Sequence, residues 1–126
     1  MGDKLKVLVV DDNVNFLQLT EMALANDYNV ITASDGQEGR DRAKSELPDV
    51  ILMDVMMPRV SGLEMLRLLL SEESTRSLPV IIMTASHFDP STEMTFKQET
   101  NVKGFLQKPC PVSVLKEEIK RVVEAN

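Results

Sequence analysis

Five short apolar runs alternate with stretches whose apolar residues recur at helical spacing. The first run, Leu5-Lys6-Val7-Leu8-Val9-Val10, ends in Asp11-Asp12 and is rich in β-branched residues, which predicts a central strand. Asn13 then opens a helix. Its Phe16, Leu19, Thr20, Ala23 and Leu24 fall at i, i+3, i+4, i+7 and i+8, predicting one buried face, and Asn26-Asp27 ends it. Residues 30–33 (VITA) form a second, shorter strand. Asp35-Gly36 is a turn signal, and the charged helix that follows, to about Ser45, is expected to present a solvated outer face.

Residues 49–53 (DVILM) predict a third strand, buried on both sides. Gly62-Leu63 opens a helix with Leu63, Leu66, Leu69 and Leu70 at helical spacing, and 71–78 is a polar loop. Pro79-Val80-Ile81-Ile82-Met83 is the fourth strand and ends in Thr84-Ala85-Ser86. Asp89-Pro90 marks a helix start, a capping side chain before a proline. That helix, 90–100, has few large apolar residues beyond Met94 and Phe96, and Asn101 is expected to end it in the left-handed conformation. Residues 104–107 (GFLQ) are a short fifth strand, followed by Lys108-Pro109. The last helix runs over 111–124, with Val112, Leu115, Ile119, Val122 and Val123 expected to face inward.

Strands and helices alternate five times, with strand starts about 20 to 30 residues apart, long enough for right-handed crossovers between parallel strands. Near-uniformly apolar strands require both sheet faces to be covered. The predicted fold is therefore α/β, a doubly wound five-stranded parallel sheet with helices on both faces, in one domain over 1–126.

Composition narrows the function. The 126 residues are 43% hydrophobic and 27% charged, as in an ordinary globular domain. A net charge of −6 argues against nucleic-acid binding through a basic face. No apolar run approaches the roughly 20 residues of a membrane helix, and no signal-peptide core is present. The lone cysteine, Cys110 between two prolines, excludes an internal disulfide and fits a reducing cytoplasm.

The candidate chemistry lies at strand ends. Asp11 and Asp12 follow the first strand, Asp54 the third, Thr84 the fourth and Lys108 the fifth. With strand order 2-1-3-4-5, the first and third strands are neighbours at the switch point, and all five residues share one edge of the sheet. Each alone reads as readily as a turn, capping or surface residue. Three carboxylates held together repel, a pair about 5 Å apart costing on the order of 3 kcal/mol at an effective dielectric of about 20. A raised carboxyl pKa or a bound cation relieves this. Hard oxygen ligands with open water positions favour Mg2+. Asp54 can then attack a phosphoryl group to give an aspartyl phosphate, with Lys108 and the Thr84 hydroxyl on the transferring oxygens.

These residues resemble the receiver domain of two-component response regulators. The motifs are VLVVDDN at 7–13, DVILMDVMMPRVSG at 49–62, MTA at 83–85 and GFLQKP at 104–109, in order and at successive strand ends. The resemblance implies a flavodoxin-like fold and a cytoplasmic phosphorelay switch rather than an enzyme, one that catalyses at most its own phosphorylation and dephosphorylation. Asp54 would be the phosphoacceptor, with Mg2+ held by Asp12 directly, Asp11 largely through water, Asp54, and the Met56 backbone carbonyl. Thr84 and Lys108 would contact the phosphoryl group, Phe105 would be the switch aromatic, and the Lys108-Pro109 bond would be cis. The implied partners are a sensor histidine kinase or phosphotransfer protein and an output domain or target protein, met by the fourth helix, fifth strand and fifth helix. Neither nucleic acid nor a membrane is implied for this domain, and homodimerisation on phosphorylation is compatible with it. Met56 and Ser86 stand where the family varies and tunes phosphate lifetime, and Phe105 lacks the hydroxyl of a tyrosine. His87, the only histidine, reads as an exposed loop residue, not the phosphodonor. A phosphatase with an Asp nucleophile would need a carboxylate at position 56. A binding module that never becomes phosphorylated would not need the intact acidic set.

Overall fold

A computed structural model describes residues 4–55, 61–84 and 90–125. The elements are β1 (Lys6–Val10), α1 (Val14–Leu24), β2 (Asn29–Ala33), α2 (Gly36–Glu46), β3 (Val50–Asp54), α3 (Gly62–Ser71), β4 (Val80–Thr84), α4 (Pro90–Lys97), β5 (Val102–Gln107) and α5 (Val112–Ala125). The strands are parallel throughout, in the order β2-β1-β3-β4-β5. This is the doubly wound sheet that the alternation predicts and the flavodoxin-like fold that the resemblance implies. Among the described residues, no helix is long and apolar enough to cross a membrane.

Successive strand residues point to opposite faces, so each central strand feeds two cores. Leu8, Val10, Ile51, Met53 and Ile82 pack with Met65, Leu66 and Leu69 of α3 and Ala43 of α2. Val7, Val9, Leu52, Ile81 and Met83 pack with Leu17 and Leu24 of α1 and Leu115, Ile119 and Val122 of α5. The charged α2 seats itself through small residues, Gly36, Gly39 and Ala43. A Cβ on Gly39 would come within 2.9 Å of Val10 Cγ1, so the helix can lie close on β1 only because that position has no side chain.

Several positions depart from the sequence expectation. Leu19 is 67% exposed, because the inward face of α1 is set by Leu17, Thr20 and Leu24. Val112 is 43% exposed; as the first residue of α5 it precedes the turns that meet the sheet. β5 begins at Val102, two residues before Gly104. Among the described residues, Leu47 alone combines a side chain with positive φ, at 49° where it caps α2; Asn101 is not left-handed. Asn101 is buried instead, its Nδ2 donating to Leu66 O at 3.2 Å while its backbone carbonyl accepts from Val80 N at 2.8 Å. A polar side chain that ties α3 to the entry of β5 serves better here than a turn conformation.

Candidate functional site

Asp11 is the first residue beyond β1, and the ladder carries on through its backbone N–H to Ala33 O at 3.0 Å. The chain then turns. Asp11 Oδ1 accepts the Asn13 N–H at 2.9 Å, and Asn13 Oδ1 accepts the Phe16 N–H at 3.1 Å, capping α1. This turn leaves Asp11 buried and Asp12 exposed. Asp54 is the last residue of β3, next to β1 in the sheet, and is buried like the strand that carries it. One carboxylate oxygen each from Asp11, Asp12 and Asp54 lie within 4.8 Å of one another.

The opposite wall comes from β4 and β5. Thr84, fully buried, is the last residue of β4, and its carbonyl accepts the Lys108 N–H at 2.6 Å. That bond aims Lys108, the first residue past β5, back into the cup. Its Nζ donates to Asp11 Oδ2 and lies 3.7 Å from Asp54 Oδ1. The second distance is too long for a hydrogen bond and reads as an ion pair. The Lys108-Pro109 peptide is cis. Phe105 is half-buried on β5, with Lys97 Nζ 5.3 Å from its ring centroid. Thr84, Glu93, Lys97, Phe105 and Gln107 line an open depression of about 350 Å3 beside it.

The structure thus brings Asp11, Asp12, Asp54 and Lys108 together, with Thr84 and Phe105 on the neighbouring strands. Met56, and Ser86 and His87 in the segment after β4, lie outside the described residues, as does the capping Asp89. Two contacts were not legible in the sequence. Phe16 places its ring 4.1 Å from Lys108 Nζ, far away in the chain, and Lys97 reaches Phe105 on the next element; neither Phe16 nor Lys97 belongs to a motif. Burial pushes the Cys110 thiol pKa up, which disfavours the reactive thiolate.

The donor set fits a hard divalent cation. All three candidate ligands are carboxylates, and Lys108 offsets only one of their charges. The exposure of Asp12 leaves room for the waters that Mg2+ retains.

The comparisons with known proteins agree. The model of the response regulator receiver domain family matches residues 7–120. The chain belongs to that family. Protein PilH of Pseudomonas aeruginosa is 32% identical over 119 residues, covering 94% of this chain and 97% of PilH. The alkaline phosphatase synthesis transcriptional regulatory protein PhoP of Bacillus subtilis is 31% identical over 122 residues, which are 96% of this chain but 49% of PhoP. Among solved structures, the chemotaxis protein CheY4 of Vibrio cholerae superposes with a TM-score of 0.87 at 29% identity, covering 95% of this chain and 99% of that one. The receiver domain is a signalling domain of two-component systems rather than an enzyme in the usual sense, and receiver domains generally bind Mg2+.

Proposed function

We propose that this receiver domain is a switch set by phosphorylation of Asp54. An Asp54 carboxylate oxygen attacks phosphorus, the bond from phosphorus to the donor's imidazole nitrogen breaks, and the electron pair returns to that ring. The donor is a sensor histidine kinase or phosphotransfer protein. Asp11, Asp12 and Asp54, with the Met56 carbonyl, would hold Mg2+, which would supply positive charge to the transferring oxygens. Lys108 adds a second positive charge, and the Thr84 hydroxyl donates a hydrogen bond. Support for this reading comes above all from one observation: three carboxylates converge within 4.8 Å with the Lys108 ammonium among them.

Once Asp54 carries the phosphoryl group, Thr84 and Lys108 gain contacts that the unmodified state lacks. A few kcal/mol of such bias moves a two-state equilibrium from mostly inactive to mostly active. Phe105 turns inward as Thr84 moves, and the surface of α4, β5 and α5 changes for an output domain or target protein. Two copies can pair through that surface when phosphorylated. The domain acts in the cytoplasm, 1–126 works as one unit, and its chemistry is confined to gaining and losing its own phosphoryl group.

Incubation with phosphoramidate and Mg2+ tests this. The expected product carries one base-labile phosphoryl group per chain, absent from Asp54→Asn. Unlabelled wild type would instead favour a binding module on the same fold. Steady turnover of a phosphomonoester would favour a phosphatase.

A further inference from the structure

We propose that Phe16 is a positioning residue for Lys108, holding its ammonium over the acidic cup while the carboxylates change partners. The inference rests on reading Lys108 as the group that meets the phosphoryl oxygens. Lys108 Nζ lies 4.1 Å from the Phe16 ring centroid, well inside the roughly 6 Å over which a ring face attracts a cation. The Lys108 side chain is only 22% exposed. It is therefore gripped from two sides, by Asp11 and Asp54 on one and the aromatic ring on the other.

Asp11 and the ring belong to one short segment. Asp11 Oδ2 takes the lysine while Asp11 Oδ1 takes the Asn13 N–H, and Asn13 in turn caps Phe16. The ring and the carboxylate are thus fixed relative to each other by local hydrogen bonds at the end of β1. Their demands differ, however. Any cation bound among the three carboxylates competes with Lys108 for Asp11. It does not compete for the ring. When Asp11 turns to the cation, the ring remains to keep a flexible four-carbon side chain from swinging into water. A leucine at position 16 would fill the space but offer no negative ring face.

Phe16 also packs against the core on the α1–α5 side of the sheet, so the test must separate orientation from packing. The ε-methylene protons of Lys108, read by NMR in the whole chain, should be shifted upfield of the other lysines by the ring, with or without Mg2+. Phe16→Tyr should keep that shift, and Phe16→Leu should lose it. The phosphorylation rate constant from phosphoramidate at saturating Mg2+ should fall about threefold to tenfold in Phe16→Leu and stay within about twofold of wild type in Phe16→Tyr. Mg2+ affinity should change by no more than about twofold in either variant. Phe16→Met, close in volume, replaces the leucine if that variant does not fold. Lys108 protons that coincide with the other lysines in wild type would overturn the proposal, as would a folded Leu or Met variant labelled at the wild-type rate. A wild type that takes no label would remove the phosphoryl reading instead, and the lysine resonances in the presence of Mg2+ would still decide whether the ring seats Lys108.

Discussion

β3 and β5 both deliver a residue to the acidic cup, and they are built differently. Every residue of β3, Val50–Asp54, is buried, with neighbours on both sides in the sheet and helices over both faces. β5 is an edge strand in which Gly104 alone is buried, and α4 beside it places Phe96 inside while Met94 is 62% exposed. The phosphoacceptor candidate thus sits on a strand buried along its whole length, as β4 beside it is. Lys108 and Phe105 sit on the edge with the least apolar burial, where local motion is cheapest. In the proposed switch, that division would pair a fixed acceptor, Asp54, with a movable reporter, Phe105.

The sharpest way to break this contrast is to remove packing from each side. Ile51→Ala, in the middle of β3 and fully buried, is expected to cost about 3–4 kcal/mol in urea unfolding. Met94→Ala on α4 should stay within about 0.5 kcal/mol. Equal losses would show that the two regions are equally well held.

A smaller effect tests the charge of the cup. Mg2+ at tenfold its dissociation constant should stabilise the domain by about 1.4 kcal/mol, read as a rise in Tm. Asp54→Asn should raise stability without Mg2+ and remove most of the Mg2+ response, since it relieves the repulsion that a cation would otherwise offset. An unchanged Mg2+ response would place the cation elsewhere.

Smaller still is the restraint on Phe105. Lys97 lies over the ring and is itself held by Glu93 Oε1 at 2.7 Å. Lys97→Met should remove about 0.5–1 kcal/mol of restraint on the ring, visible as a displacement of the Phe105 ring resonances toward those of the phosphorylated protein. Resonances that do not move would mean that Lys97 leaves the switch untouched.

The smallest expected effect is electrostatic. The Arg121 side chain hydrogen-bonds Glu118 and holds its carboxyl pKa below the usual glutamate range. A lowered folded-state pKa stabilises above the unfolded value, and that contribution is lost as pH falls through the acidic range. Glu118→Gln should therefore flatten the acid limb of the stability profile by about 0.3–0.5 kcal/mol, as a pH series of thermal melts would record.

What could be read before the structure, and what could not, divides along the same line. β1, β3 and β4 are dense apolar runs, so their existence, their parallel pairing and the clustering of Asp11, Asp12 and Asp54 follow from local pattern and topology. The rest depended on tertiary detail. Leu19 and Leu17 are equally apolar, and only helix phase decides which is buried. Asn101 suits a left-handed cap by type, but a buried partner on α3 claims it. The solvated outer face of α2 was legible from its charges, but its inward face, glycine and alanine, carries almost no hydrophobic signal. The ring that approaches Lys108 comes from far along the chain and the ammonium that approaches Phe105 from the preceding helix, and no local spacing encodes either pairing.

Gly62 has a consequence for how this domain can change. A Cβ there would meet Val55 Cα at 2.9 Å, and its N–H reaches Val55 O at 3.4 Å. The chain leaving β3 and the chain entering α3 are pinched together at one point, like the neck of a purse. A single methyl group at the pinch would be felt by the acceptor strand directly.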